Sequence, residues 1–193
     1  ESWTPVSLGN SVYPSSVFFR DNSTGWVVGY GGFPNTQALI VKTTNGGNNW
    51  ITQNLPTADE LSSIYFVNSN KGWSVGYLGD YGIILNTTNA GNNWYSKTIL
   101  ETSWLFQIQF VNDSTGWAVG QGGLILKTDD SGANWNIQLS GVESSLYSVY
   151  FINDSIGWCV GKYGVVIKTT NGGTDWYTQT SGTTETLNSI FFT

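Results

Sequence analysis

The stretch TTNGGNNW, Thr43–Trp50, combines two glycines, three asparagines and one tryptophan without a single charged residue. Nearly the same octet returns as TTNAGNNW, TDDSGANW and TTNGGTDW, which end at Trp94, Trp135 and Trp176. A Gly-Trp pair precedes each octet, and its tryptophans are Trp26, Trp73, Trp117 and Trp158. The octets recur at steps of 44, 41 and 41 residues and the pairs at steps of 47, 44 and 41, so the chain is built from internal repeats.

One spacing within the repeat is constant. A phenylalanine follows each octet tryptophan by 16 residues, and the same distance joins Trp3 to Phe19. These phenylalanines are Phe66, Phe110, Phe151 and Phe192. Trp3 is therefore interpreted as the end of a preceding octet, and SIFFT at 189–193 as the opening of a further repeat. Four full repeats are flanked by a trailing piece and a leading piece.

Each repeat is predicted to form four short β-strands. In the third repeat these are QIQFV, GWAVG, the apolar run LILKT and, after the octet, WNIQLS. Four strands in about 40–45 residues are typical of a β-propeller blade. We therefore predict an all-β, propeller-type array of four-stranded blades, as a single domain over 1–193 or the N-terminal part of a larger propeller. The full blades are predicted at about 15–54, 62–98, 106–139 and 147–180, with partial-blade strands at 1–9 and 187–193.

The octets are predicted to serve the fold. Asn and Asp side chains bond their own backbone in turns, glycine adopts positive φ at little cost, and the tryptophan packs back under the hairpin. The residues given this structural role are Thr43, Asn45, Gly47, Trp50, Thr87, Asn89, Gly91, Trp94, Thr128, Asp130, Gly132, Trp135, Thr169, Asn171, Gly173 and Trp176. A cation-binding loop is the alternative, but only the third octet has two carboxylates, Asp129 and Asp130. Because a tight Ca²⁺ site uses more anionic oxygens, no metal site and no cofactor are predicted.

The octet resembles the Asp-box, or BNR repeat, of sialidases and many other propellers. The wider unit GWAVGQGGLILKTDDSGANW, residues 116–135, resembles the repeat of the photosystem II assembly/stability factor family. This resemblance covers nearly the whole chain and implies a propeller that binds assembly intermediates through basic, Arg-rich surface. The chain departs from that pattern because its one arginine is Arg20.

Composition excludes several classes of function. The net charge of −6 and the scattered Lys and Arg argue against nucleic acid as a partner. No histidine is present and Cys159 is the one cysteine, which argues against Ser-His and Cys-His nucleophiles, zinc sites and an intramolecular disulfide. A sialidase needs three arginines to clamp the carboxylate of its substrate, and this chain has one, so a sialidase is excluded. No stretch approaches the roughly 20 apolar residues of a membrane helix, so no membrane insertion is predicted.

A glycoside hydrolase is the catalytic alternative, since it needs only two suitably separated carboxylates. The carboxylates in predicted loops are Asp59, Glu60, Asp80, Glu101 and Glu143. No pair of them stands out by its spacing.

A ligand is predicted to bind on the face formed by the loops between second and third strands and between blades. The candidates are Trp104, Tyr30, Phe33, Asn35, Tyr77, Asp80, Tyr81 and Tyr163. Amphipathic aromatic residues suit contact with proteins or sugars. Trp104 breaks the repeat pattern, because Glu60, Ser145 and Thr186 occupy its equivalent positions. Two alternatives stay open: these aromatics pack the loops, and Trp104 fills the central channel.

The leading functional hypothesis is a non-catalytic binding or scaffold propeller, secreted or on a bacterial cell surface, that recognises a protein or a glycan. The alternatives are a polysaccharide-acting hydrolase and an assembly chaperone for membrane-protein complexes. Further blades in the native chain or self-assembly would complete the ring.

Overall fold

The computed structural model describes Leu8 and residues 12–32, 37–99 and 103–192, and it places four antiparallel sheets of four strands there. The all-β, propeller-type prediction is confirmed. The first sheet contains β1 (Val12–Phe19), β2 (Gly25–Gly31), β3 (Gln37–Thr43) and β4 (Ile51–Thr52). The second contains β5 (Glu60–Phe66), β6 (Gly72–Leu78), β7 (Tyr81–Thr87) and β8 (Tyr95–Thr98). The third contains β9 (Leu105–Phe110), β10 (Gly116–Gly120), β11 (Ile125–Thr128) and β12 (Asn136–Gln138), and the fourth β13 (Leu146–Phe151), β14 (Gly157–Gly161), β15 (Val166–Thr169) and β16 (Tyr177–Gln179).

The ends of the array differ from its middle. The predicted partial strand over 1–9 lies outside the described residues except for Leu8. Residues 187–192 form no strand, because a strand needs a neighbour and no other described strand pairs with them. Their contacts run to the fourth sheet, where Leu187 N donates to Gly161 O at 3.0 Å and Ile190 N to Ser148 Oγ at 3.1 Å. No helix in the described ranges is long and apolar enough to cross a membrane.

The hydrophobic core lies between consecutive blades. The first cluster joins Trp26, Val28 and Ile40 of the first blade to Leu61 and Ile83 of the second. Equivalent clusters join the second blade to the third and the third to the fourth. Each blade therefore buries its apolar faces against its neighbours, and the inner strands β1, β5, β9 and β13 lie side by side.

A phenylalanine held between two tryptophans recurs at each of these interfaces. The Gly-Trp tryptophan of one blade stacks on the phenylalanine of the next, with centroid distances of 3.8 Å for Trp26–Phe66, 3.7 Å for Trp73–Phe110 and 3.5 Å for Trp117–Phe151. The octet tryptophan of the phenylalanine's own blade meets the same ring edge-on, at 5.8–6.0 Å. The constant spacing of 16 residues joins a different pair, namely the octet tryptophan of one blade and the phenylalanine of the next, such as Trp50 and Phe66.

The glycine of the Gly-Trp pair makes room for that phenylalanine. A Cβ at Gly72, Gly116 or Gly157 would lie 2.5–2.6 Å from the ring of Phe66, Phe110 or Phe151. A glycine is therefore needed at these positions, because any larger residue would clash with the phenylalanine ring.

The octet is held by the same hydrogen bonds in every blade. In the first, Thr43 Oγ1 accepts from Gly47 N at 2.9 Å and donates to Asn45 Oδ1 at 3.0 Å, and Asn45 Oδ1 accepts from Asn49 N at 2.9 Å. The other three octets repeat these bonds at 2.8–3.1 Å. The fifth residue of each octet is a glycine with φ between 81° and 91°.

Side chains of an inner strand also form hydrogen bonds with backbone N–H and C=O groups at the edge of the next blade. Gln107 Oε1 accepts from Val149 N at 2.6 Å, and Gln109 accepts from Phe151 N at 2.7 Å while donating to Phe151 O at 3.2 Å. An inner strand would otherwise present unpaired backbone groups. The two glutamines of QIQFV therefore link the third blade to the fourth.

Replacing the Gly-Trp glycine is expected to destabilise the fold. Gly116→Ala places a methyl group 2.6 Å from the Phe110 ring, which is only 1% exposed and cannot move aside. We expect the free energy of unfolding to fall by about 1–3 kcal/mol, measured by chemical denaturation. Gly25→Ala is the matched control and should cost clearly less, because its neighbour Phe19 is 45% exposed. Equal losses in both variants would contradict the explanation.

The octet position before the glycine offers a stabilising change. Ala90 has φ 60°, whereas Gly46 and Gly172 occupy the same position at φ 69°. Since a left-handed conformation strains a residue with a Cβ, Ala90→Gly should raise the unfolding free energy by about 1 kcal/mol. Ala133→Gly is the control at an octet alanine without positive φ, and it should leave stability unchanged or lower it. A thermal melt compares them, and a lower Tm for Ala90→Gly would disprove the assignment.

Candidate functional site

Two kinds of loop meet on one side of the blades. One joins the second and third strands of a blade, and the other joins its fourth strand to the first strand of the next blade. Backbone hydrogen bonds connect them: Asp59 N donates to Tyr77 O at 3.0 Å, and Gln121 N to Trp104 O at 2.9 Å. We call this side the loop face, and the opposite side, with the hairpin turns and octets, the octet face.

A tight hairpin between β6 and β7 in the second blade positions three predicted ligand residues, Tyr77, Asp80 and Tyr81. Leu78 and Tyr81 pair across a turn made by Gly79 and Asp80, with Gly79 at φ 59°. A glycine at the first position of a two-residue turn suits the twist of a hairpin. Asp59 Oδ2 accepts from Gly79 N at 2.7 Å, which ties the turn to the loop between the first and second blades.

Trp104 spans the boundary between the second and third blades. Its ring stacks on Tyr77 with centroids 4.4 Å apart and planes 19° apart, and its Nε1 donates to Gly79 O at 3.1 Å. The side chain is still 38% exposed. Trp104 is thus fixed in orientation and keeps part of its surface for contact with solvent or a ligand.

A second stacked pair lies on the first blade, where Tyr13 and Tyr30 face each other with centroids 4.9 Å apart. Glu60 links Tyr77 to the strand that carries Tyr13, because its Oε2 accepts from Tyr77 OH at 3.1 Å and its Oε1 from Ser15 Oγ at 3.3 Å. We call the group formed by Tyr13, Tyr30, Tyr77, Trp104 and Glu60 the aromatic ledge. It crosses three consecutive blades on the loop face.

The ledge changes the acidity of Tyr77. Desolvation, followed by the charge of Glu60 and the hydrogen bond to it, raises the pKa of Tyr77 from 10.0 to about 12. The phenol therefore stays protonated and continues to donate to Glu60 to a higher pH than an ordinary tyrosine would.

The structure brings together Tyr30, Tyr77 and Trp104 of the predicted ligand residues. Asp80 and Tyr81 lie beside them on the Gly79 turn, and both are exposed. Tyr163 lies apart on the fourth blade and is 64% exposed, with Lys162 Nζ 4.8 Å from its ring centroid. Among the described residues it makes no aromatic contact with the ledge. Phe33 and Asn35 lie outside the described residues.

Two ledge residues escaped the sequence-based list of ligand residues. Tyr13 occupies the same repeat position as Glu60 and Trp104, and extending that comparison by one repeat toward the N-terminus would have found it. Glu60 was considered only as a catalytic carboxylate. Its position between two aromatic pairs depends on contacts between blades, which no local pattern records.

The ledge residues line none of the three main clefts, although their chain neighbours Val12, Gly31 and Ser103 line two of them. Clefts of about 720, 460 and 450 Å³ recur beside the loops of the fourth, first and third blades. The largest is lined mainly by 163–166 and 178–184. Their recurrence at equivalent loops makes them a property of the repeat.

Candidate metal ligands and the one cysteine can be located in the described ranges. No group of three or more His, Cys, Asp or Glu side chains in the described ranges is arranged to hold a metal ion. Cys159 is fully buried, and this burial raises the pKa of its thiol well above the ordinary value. A thiol in that environment is a poor nucleophile.

Comparison with known proteins identifies the family. A family model described as photosynthesis system II assembly factor YCF48 matches residues 1–103 and 95–184, so the chain belongs to this family. No curated protein sequence matches the chain significantly.

Solved structures show the same fold. A structure described as YCF48 bound to D1 peptide is 22% identical with a TM-score of 0.70, covering 90% of this chain and 55% of that one. YCF48 from Cyanidioschyzon merolae is 15% identical with a TM-score of 0.68, covering 93% and 63%. An ancestral GH74 enzyme is 19% identical with a TM-score of 0.68, covering 90% of this chain and 25% of that one. This chain thus spans between half and two thirds of the length of the two YCF48 structures.

The raised pKa of Tyr77 predicts a pH-dependent stability. A tyrosine whose folded pKa is about 12 and whose unfolded pKa is 10.0 contributes stability that is complete below pH 10 and lost as the pH rises toward 12. We expect the unfolding free energy to fall more steeply over this range in the wild type than in Tyr77→Phe. Denaturant titrations at a series of pH values test this, and parallel curves would contradict it.

Proposed function

We propose that this member of the YCF48 family is a non-catalytic protein-binding propeller, which holds a polypeptide segment on its loop face as an assembly factor does. The observation that carries the proposal is the aromatic ledge. Its Tyr77–Trp104 pair is fixed by hydrogen bonds and by packing across two blades, its Tyr13–Tyr30 pair is stacked within the first blade, and both keep exposed aromatic surface: Tyr13 is 51% exposed and Trp104 38%.

The shape of the ledge favours a macromolecular partner over a small molecule. Small-molecule sites are concave, and none of the five ledge residues lines the clefts of about 720, 460 and 450 Å³. Tyrosine and tryptophan are enriched where protein interfaces gain most of their affinity. A side chain already held in place loses little entropy when a partner binds, so the ledge is suited to act as an anchor.

The family supports a polypeptide as the bound partner. One YCF48 structure with this fold was solved with a D1 peptide bound. Its identity to this chain is 22%, so the position of that peptide is not transferred, and only the class of ligand enters the proposal.

A polysaccharide-acting hydrolase is the second candidate, because GH74 enzymes share the fold. Asp59 and Glu60 are the carboxylates hydrogen-bonded to the hairpin that carries Tyr77. They are consecutive residues and both already accept hydrogen bonds from the Tyr77–Gly79 hairpin, which favours a positioning role for them.

The low share of charged residues, 10%, is the basis for proposing a secreted or cell-surface location.

Removal of the anchor tests the proposal. A phage-displayed library of linear peptides is selected against the chain, and the affinities of selected peptides are measured by fluorescence anisotropy. Trp104→Ala is expected to weaken binding about tenfold or more. Tyr177→Ala is the matched control, since Tyr177 is 61% exposed on the outer strand β16, and it should leave binding unchanged.

Two outcomes would overturn the proposal. One is a failure to select any peptide, and the other is binding that does not depend on Trp104. Hydrolysis of a polysaccharide that is lost in Glu60→Gln would establish the second candidate instead.

A further inference from the structure

Charged side chains are divided unequally between the two faces. The loop face of the described residues carries five carboxylates and one lysine, namely Asp59, Glu60, Asp80, Glu143, Glu185 and Lys162. The octet face carries equal numbers of basic and acidic side chains, namely Arg20, Lys42, Lys71, Lys97, Lys127 and Lys168 with Asp21, Asp113, Asp129, Asp130, Asp154 and Asp175. Most of the chain's net charge of −6 therefore lies on the loop face.

Three lysines of the octet face, Lys42, Lys71 and Lys97, donate hydrogen bonds to the next blade. Lys42 lies 5.5 Å from the Trp26 ring centroid and donates to Ala90 O in the next blade at 2.9 Å. Lys71 donates to Asp113 O at 3.0 Å and to Ser131 Oγ at 2.8 Å, and both acceptors belong to the next blade. Within the described ranges, both ion pairs also lie on this face. No ion pair among the described residues joins an octet-face cation to a loop-face carboxylate.

The carboxylates of the loop face flank exposed aromatic rings. Glu60 lies between the two stacked pairs of the ledge, and Asp59 and Asp80 lie at the hairpin that carries Tyr77. An ammonium or guanidinium group is attracted both to a carboxylate and to the face of a tyrosine or tryptophan ring. The loop face offers these two kinds of contact side by side.

We infer that the polypeptide segment bound on the loop face carries Lys or Arg side chains next to apolar or aromatic residues. The cationic group pairs with Glu60 and the neighbouring carboxylates, while the apolar residues pack on Tyr13, Tyr30 and Trp104. This inference rests on the proposed protein-binding function and adds the chemistry of the partner. Charge complementarity carries it, since an acidic segment would meet like charges across the whole face.

A charge-scanned set of synthetic peptides tests the inference. Each 12-residue peptide keeps one aromatic pair, and the flanking positions hold Arg, Ser or Glu in otherwise identical sequences. The Arg peptides should bind most tightly and the Glu peptides most weakly. Raising the salt concentration above physiological ionic strength should weaken the binding of the Arg peptides and leave the Ser peptides nearly unchanged.

Variants locate the charge effect. Glu60→Gln keeps the side-chain shape and one of the two acceptor oxygens, and it should weaken binding of the Arg peptides about twofold to fivefold more than binding of the Ser peptides. Asp129→Asn removes an octet-face carboxylate and is the matched control, with no expected change. Trp104→Ala should weaken the binding of Arg and Ser peptides alike, because it removes apolar contact.

The outcomes separate the inference from the function beneath it. Preference for Glu peptides, or an Arg preference insensitive to both salt and Glu60→Gln, would overturn the inference. The protein-binding function would still stand if Trp104→Ala weakens binding about tenfold or more. Binding of a glycan with no binding of any peptide would overturn both.

Discussion

The phenylalanine held between two tryptophans is the contact on which the array depends. It joins the Gly-Trp strand of one blade to the inner strand and the octet of the next, so one ring fixes three segments. Phe66, Phe110 and Phe151 are 4%, 1% and 2% exposed. At such burial each aromatic ring contributes a large apolar area, and the stacked geometry adds to it. Blade-to-blade packing therefore supplies the core that a single four-stranded sheet lacks.

Because this contact and the octet hydrogen bonds lie toward the octet face, the loop face is free to vary. The octet bonds are repeated four times with nearly constant lengths, and lysines brace the octets from the preceding blade. The second-to-third strand loops instead differ from blade to blade, as a two-residue turn in the second and 3-10 turns at Gln121–Gly123 and Lys162–Gly164. A binding surface can change there without disturbing the interfaces between blades.

Much of the fold follows from the sequence because its signals are local or periodic. The octet spans eight residues and bonds its own backbone, and the repeat sets the number of strands and blades. The sequence predicts a partial-blade strand at 187–193, but residues 187–192 pair with no described strand. Strand formation requires a partner that local sequence cannot supply. The prediction of a loop-face surface around Tyr30, Tyr77 and Trp104 came from the repeat as well, through the residue that breaks its pattern.

The sequence by itself determined the repeat, the propeller class, the octet turns and the acidic, histidine-free composition, since each is encoded within one repeat or in simple counts. Only the tertiary structure decided that Trp104 stacks on Tyr77 of the preceding blade and that Glu60 lies between two aromatic pairs. It also decided that the negative charge collects on one face. These features join residues from different blades. Their distances are set by how neighbouring blades pack against one another and not by any local preference of the chain.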